Sequence, residues 1–129
     1  MYLAHGWNLE NFGIDDPLIE QTVEAWKYGP VVPKLYREFK EFGASPITRD
    51  TRVPDKIKIL NETSRDLLQQ AWRIYGPSTA LELSMTTHEP GFAWDLAIKS
   101  SGGLYSVPIP NELILEEFRR RRARAIESA

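Results

Sequence analysis

Cysteine is absent from the 129 residues, which excludes disulfide bridges, thiolate nucleophiles and thiolate-ligated zinc. No apolar run approaches the roughly 18 residues that a membrane-spanning helix requires, so no membrane partner is expected. The N-terminus lacks the basic start and apolar stretch of a secretory signal. Because 42% of the residues are apolar and 11% aromatic, the chain can still bury an ordinary core. These features predict one compact domain over residues 1–129 and a cytoplasmic location.

Sequence signatures of catalysis and cofactor binding are missing as well. Ser101-Gly102-Gly103 is not followed by the Lys-Ser/Thr pair of a phosphate-binding loop, and neither GxSxG nor HExxH occurs. The two histidines, His5 and His88, are far apart in sequence and have no metal-ligand spacing. The sequence therefore predicts no catalytic residue, no cofactor and no metal site.

Charge is distributed unevenly along the chain. Residues 1–118 contain 11 Lys/Arg and 17 Asp/Glu, whereas residues 119–129 contain five Arg and one Glu. A body this acidic makes nucleic acid an improbable partner, because DNA binders need cations along the phosphates. Two interpretations of the arginines at 119–124 remain open: they complement the dipole at the end of a helix, or they contact a partner.

Hydrophobic spacing predicts a mainly α fold of five or six helices, with a small β hairpin or short strands as an option. In the first half, a helix over 2–9 precedes a turn-rich loop, and residues 18–28 fit either a short helix or an extended segment. Gly29-Pro30 is expected to end that segment. Pro33 then begins a helix that ends at Gly43.

The second half is predicted to begin with a long exposed loop over residues 44–61, in which Ile57 and Ile59 fit a brief strand. A helix over 63–75 follows, with Thr63 and Asp66 as an approximate capping box. Ser78 and Asn111 are expected to cap the third and the last helix. A further short helix is expected over 92–98, and alternation over 105–109 fits a strand.

The segment from Thr86 to Asp95 is the densest polar and aromatic cluster. His88 beside Glu89 resembles a base with its orienting carboxylate, but adjacent helical residues point about 100° apart. The favoured interpretation is that His88 packs at a helix end and Trp94 fills the core. Four Trp and five Tyr are many for this length; most are expected in the core, and a few remain for a partner surface.

Several motifs together resemble one known family. They are Tyr-Leu-Ala-His-Gly-Trp at 2–7, Glu-Ala-Trp-Lys-Tyr-Gly-Pro-Val-Val-Pro at 24–33, Ala-Trp at 71–72, Tyr-Gly at 75–76, Ala-Leu-Glu-Leu-Ser at 80–84 and Thr-His-Glu-Pro-Gly at 87–91. In this order they resemble the Panacea family, also called the SocA-like or phage-associated GepA-like antitoxin family. The resemblance covers nearly the whole chain. Family members usually carry about another helical turn before the first motif.

The resemblance implies a non-enzymatic protein, the antitoxin of a type II toxin–antitoxin pair, which neutralises a cognate toxin by binding it. An adaptor that delivers the toxin to an ATP-dependent protease, or a small hydrolase that uses His88, are the alternatives. Trp26, Gly29, Pro30, Trp72 and Gly76 belong to the family motif. The candidate partner contacts are Tyr28, Arg73, His88 and Trp94.

Overall fold

The computed structural model describes residues 1–43, 45–46 and 61–128. Within these ranges the chain forms six α-helices, one 3₁₀ turn and three short strands, which confirms the mainly α prediction. In chain order the elements are α1 (Tyr2–Phe12), β1 (Val23–Trp26), β2 (Gly29–Val31), α2 (Pro33–Phe39), the 3₁₀ turn (Lys40–Phe42), α3 (Glu62–Tyr75), α4 (Ala80–Thr87), α5 (Ala93–Ser100), β3 (Val107–Ile109) and α6 (Asn111–Glu127). The predicted loop over 44–61, with its brief strand, lies almost entirely outside the described residues.

Helix α1 is the centre of the core, and it packs against both α6 and α3. Gly6 is essential to this packing, because a Cβ at that position would lie 2.1 Å from the ring of Phe118. That ring is fully buried and meets Tyr2 and Trp7 edge to face. An apolar helix that begins at the second residue therefore becomes the most buried helix of the described chain.

A small antiparallel sheet, in the order β2-β1-β3, lies beside the helices. Segment 18–28, for which helix and strand were both open, contains strand β1, whose Val23 and Ala25 point into the core. The prediction that Gly29-Pro30 ends this segment is wrong. These residues begin β2 and pair with β1, and the two-residue turn is Lys27-Tyr28. Gly29 has a φ of 134°, which only glycine adopts readily.

The helices begin at different caps from those predicted, each one or two residues away. Asn61, and not Thr63, caps α3 by accepting a hydrogen bond from the Ser64 amide. Thr79, and not Ser78, caps α4 in a complete capping box with Glu82. In both cases a neighbouring residue that is also a favoured N-cap takes the position, which sequence spacing does not distinguish.

Asn111 does not cap α6, although it begins that helix. Its Oδ1 lies 3.0 Å from Nε2 of His5, a fully buried histidine of α1. Burial lowers the pKa of His5. The Nδ1 atom of the same ring is buried without a hydrogen-bond partner. The neutral ring is therefore the form that this core accommodates.

The sequences at 25–30 (Ala-Trp-Lys-Tyr-Gly-Pro) and 71–77 (Ala-Trp-Arg-Ile-Tyr-Gly-Pro) are similar, but the first forms the β1–β2 hairpin and the second the end of α3 with the turn after it. Across the described ranges, no helix combines the length and apolarity that crossing a bilayer requires.

Candidate partner-binding surface

The β1–β2 turn is fastened to α4 and α5 by Ser84 and by two side chains of the predicted cluster, His88 and Trp94. The indole Nε1 of Trp94 donates to the Trp26 carbonyl oxygen at 2.7 Å. The hydroxyl of Ser84 donates to the Tyr28 carbonyl oxygen at 2.9 Å. Nε2 of His88 lies 3.5 Å from the Lys27 carbonyl oxygen. All three carbonyl groups at the turn are therefore contacted by helix residues that come about 60 positions later.

His88 is held in place by its surroundings on two sides. Its ring packs on the ring of Trp94, with centroids 4.1 Å apart, and its Nδ1 contacts the Ser84 carbonyl oxygen. Glu89 does not orient His88, since its carboxylate binds Arg124. This arrangement agrees with a packing role at the helix end. It does not provide the base–carboxylate pair that the hydrolase alternative requires.

The family-motif residues surround the same turn and the end of α3. The ring of Trp26 packs edge to face on Tyr36, and a Cβ at Gly29 would lie 3.2 Å from Oγ1 of Thr87. At the end of α3, a Cβ at Gly76 would approach the Trp72 carbonyl oxygen to 2.4 Å. Glycine is thus required at Gly76 by close packing and at Gly29 by the positive φ.

Three large apolar side chains are exposed on the fastened turn and on helix α4, which holds it. Tyr28 is 76% exposed at the tip, and Leu81 and Met85, one turn apart on α4, are 71% and 67% exposed. Ser84, which holds the turn, is adjacent to both along α4. We call Tyr28, Leu81 and Met85 the hairpin surface. Large apolar groups exposed together on a rigid frame are typical of a protein-binding site.

An apolar groove leads from the hairpin surface to α3. One part, of about 260 Å³, is bordered by Tyr28, and a second part, of about 360 Å³, is bordered by Trp72. The two parts share Met1, Leu3 and Leu83 as lining residues, so they are continuous. Trp72 is 76% exposed although sequence spacing placed it on an apolar row of its helix. It therefore adds a second aromatic side chain to this side of the molecule.

The structure brings Tyr28, His88 and Trp94 together, but it does not bring Arg73 to them. Of the three, only Tyr28 is exposed; His88 and Trp94 are half-buried and support the turn. Arg73 is exposed on α3 and has no hydrogen bond or ion pair within the described chain. Its predicted role as a partner contact remains a prediction.

A buried polar cluster that the sequence did not indicate joins three helices. The carboxylate of Glu117 accepts hydrogen bonds from the Tyr2 hydroxyl at 2.9 Å, the Ala93 amide at 3.1 Å and Nε of Arg121 at 2.9 Å. Burial, and then the neighbouring Glu117 carboxylate, raise the pKa of Tyr2 well above its ordinary value. One face of α6 carries Ile114, Glu117, Phe118 and Arg121. A Glu–Arg pair within an otherwise apolar row was therefore the sequence signal that could have indicated this cluster.

The arginines at 119–124 are mostly bound within the chain. Arg120 and Arg121 donate to the carbonyl oxygens of Gly91 and Thr86, and Arg122 binds both carboxylate oxygens of Glu10. Guanidinium groups of three of them, Arg120, Arg121 and Arg124, lie 4.7–5.0 Å from the centroid of the buried Phe92 ring. Neither interpretation drawn from the sequence included this role, which is to attach α6 to α1 and to the turn before α5.

Comparison with known proteins gives a consistent assignment. Residues 1–95 match the family model described as antitoxin SocA-like, Panacea domain. The chain is 30% identical to antitoxin SocA of Caulobacter vibrioides (strain NA1000 / CB15N) over 130 residues, which cover 92% of this chain and 68% of that protein. No solved structure matches. The matched region contains the fastened turn, the hairpin surface and the groove. The chain therefore belongs to the SocA-like antitoxin family, the Panacea domain family.

Proposed function

We propose that this chain is the antitoxin of a type II toxin–antitoxin pair and neutralises its cognate toxin by direct protein–protein binding, without a catalytic step. Membership of the family supports the antitoxin role. The observation that carries the binding mode is the hairpin surface, in which Tyr28 stays exposed on a turn held by three side chains and Leu81 and Met85 stay exposed on helix α4.

Rigidity of the turn favours tight binding. An exposed tyrosine on a mobile loop loses conformational freedom when a partner binds, and this loss weakens affinity. Here the backbone at Trp26 and Tyr28 is already fixed by hydrogen bonds from Trp94 and Ser84. The turn therefore presents an aromatic side chain in a conformation ready for contact, and aromatic residues contribute strongly to interfaces.

The groove extends the available contact area toward α3. A stable complex buries about 800 Å² on each partner. The hairpin surface alone offers three large side chains, whereas the continuous groove adds the exposed ring of Trp72. A toxin that covers both Tyr28 and Trp72 has a contact region of suitable size.

The test is coexpression of the chain with the product of the adjacent reading frame in a host that this product inhibits. Rescue of growth and copurification of the two proteins are expected. Tyr28→Ala with Met85→Ser is expected to abolish rescue at similar antitoxin levels. The matched control, Tyr105→Ala with Leu104→Ser, also changes exposed side chains but outside this surface, and should rescue like the wild type. Failure of the wild-type protein to bind or rescue contradicts the proposal.

Toxin lifetime distinguishes masking from delivery to a protease. Masking predicts that the half-life of the toxin is unchanged or longer when the antitoxin is present. A half-life that falls only while an ATP-dependent protease is active supports the adaptor alternative instead. The same strains serve for both measurements, with the hairpin-surface variant as the control that lacks toxin contact.

A further inference from the structure

Helix α3 is attached to the rest of the molecule less firmly than α1 and α6. Leu67 is the one buried residue among its fourteen, and α3 adds no residue to the main cluster of buried apolar side chains in the described chain. In contrast, seven of the eleven residues of α1 are buried, and α6 adds Ile114 and Phe118 to that cluster. Because tertiary packing supplies most of the stability of a helix in a protein, α3 has little of it to lose when it separates.

Two clefts flank the contact between α3 and α1. The groove described above reaches Leu68 and Ala71, and a separate cleft of about 380 Å³ is lined by Leu67 and Ala71. Ala71 therefore borders open space in both directions, and the strip of α3 that rests on α1 is narrow. Apolar side chains along such a strip meet few partner atoms, which leaves the attachment weak.

The C-terminal end of α3 is its firmest point. Tyr75 packs against the core cluster, and its hydroxyl accepts a hydrogen bond from the indole of Trp7 at 2.8 Å. Among the described residues, this is the one side-chain hydrogen bond between α3 and another helix or strand, and none of the ion pairs includes α3. Gly76 and Pro77 follow at once and lead toward α4. The helix is therefore held near a pivot at 75–77, and its earlier turns are the part that can move.

Helix α4, beyond this pivot, is fixed to the hairpin, because Ser84 donates to the carbonyl oxygen of Tyr28. The groove consequently has two unlike ends. One is fixed, bordered by Tyr28 and by Trp72 next to the pivot, and the other is adjustable, lined by Leu68 and Ala71. Movement of α3 about the pivot changes the adjustable end and leaves the hairpin surface where it is.

We infer that α3 is a movable wall of the toxin-binding groove: its turns before Trp72 detach from α1 in the free chain, and bound toxin holds them in place. The inference rests on the proposed function and adds a conformational step to it. A toxin that contacts both helices across the groove binds the attached form better than the detached one, so it shifts the population toward attachment. A helix of this length is marginally stable alone in water, so detachment also unfolds these turns and exposes their amides.

Amide hydrogen exchange of the free chain, followed residue by residue by NMR, tests detachment without toxin. Protection at residues 67–71 is expected to be at least about 100-fold lower than at residues 114–118 of α6, because α3 opens locally. Low concentrations of urea should accelerate exchange at 114–118 and hardly affect 67–71, since a local opening exposes little surface. Equal protection with equal urea dependence in the two segments overturns the inference.

Two variants that each remove one hydrogen bond separate local from global opening. Trp94→Phe weakens the folded chain equally with α3 attached or detached, so it is expected to accelerate exchange at 114–118 at least about fivefold and to leave 67–71 unchanged. Tyr75→Phe removes the acceptor at the pivot and is expected to accelerate exchange at 67–71 about fivefold. Acceleration at 67–71 in Trp94→Phe as large as at 114–118 means that α3 opens only with the whole chain, and it overturns the inference.

Purified cognate toxin, added to the same samples, distinguishes this inference from the proposed function. Protection at 67–71 is expected to rise at least about tenfold in the complex. A stable complex that protects Tyr28 and α4 but leaves exchange at 67–71 unchanged supports the proposed function and overturns the inference. Wild-type protein that binds no toxin contradicts the proposed function, and with it the inference that toxin holds α3, whereas exchange of α3 only by global unfolding contradicts the inference alone.

Discussion

The hairpin turn and the second half of α6 use their polar groups in opposite ways. At the turn, Ser84, His88 and Trp94 fix the backbone and leave the apolar side chain of Tyr28 exposed. On α6, the polar groups belong to long arginine side chains. Four of the five arginines at 119–124 use them to bind other groups of the same chain. The run of charged residues on α6 therefore attaches this helix to the rest of the chain, whereas isolated aromatic and aliphatic residues remain exposed to solvent.

The largest loss of stability is expected at Glu117, the buried centre of the polar cluster that joins α6 to α1 and α5. Glu117→Ala leaves the Tyr2 hydroxyl, the Ala93 amide and Arg121 without their acceptor. The free energy of unfolding is expected to fall by about 3–5 kcal/mol in urea denaturation, because the partly buried Arg121 loses its counter-charge and two buried donors lose their acceptor. Glu116→Ala, at an exposed neighbouring position, should change it by less than about 0.5 kcal/mol. A loss below about 1 kcal/mol for Glu117→Ala, roughly the contribution of one exposed ion pair, contradicts the cluster's role.

A smaller loss of stability is expected at the turn, where the indole N–H of Trp94 can be removed while the side chain stays aromatic. Trp94→Phe removes the hydrogen bond to the Trp26 carbonyl oxygen. The free energy of unfolding should fall by about 1–3 kcal/mol, and amide exchange at the turn should accelerate. Trp72→Phe makes the same change at an exposed indole and should alter neither quantity. Equal losses for both variants do not agree with a fastened turn.

A third prediction concerns how the stability of the chain depends on pH, through the buried His5 of α1. Because burial lowers the pKa of His5, the unfolded chain binds a proton at a higher pH than the folded one. The free energy of unfolding is therefore highest above about pH 6.5 and falls as the pH decreases toward the lowered pKa. Denaturation of His5→Gln and of the wild type over this interval measures the contribution. A wild-type stability that rises on acidification, or a variant with the same slope, contradicts it.

The smallest loss of stability is expected at the exposed ion pair that attaches α6 to the turn before α5. Arg124 pairs with Glu89 on the surface, and both side chains are partly accessible to solvent. Arg124→Ala should reduce the free energy of unfolding by about 0.2–1 kcal/mol, and added salt should diminish the difference. Arg119→Ala, which removes an arginine that has no ion pair among the described residues, serves as the reference. A loss of unfolding free energy in Arg124→Ala as large as that in Glu117→Ala would contradict this account.

Periodicity predicted most helices of the described chain, because apolar spacing reports which face is covered. It could not report what covers that face. Trp72, Leu81 and Met85 have the spacing of core residues, and in the folded chain they are exposed. A small hairpin was an option, but its position was not predicted, because Gly-Pro normally ends a segment and only pairing with β1 reveals that it begins a strand. At the site, the family resemblance named the motif residues but not where they lie in the fold, and Glu117 was missed because its role depends on contacts between helices distant in sequence.

Hydrogen–deuterium exchange of this chain with and without its cognate toxin tests the central claim most directly. Masking by the exposed apolar surface predicts that bound toxin slows exchange at Lys27, Tyr28 and the amides of α4, beyond the protection that the fastened turn already gives. Protection confined to other segments, with exchange at the turn and α4 unchanged in a stable complex, would contradict the account.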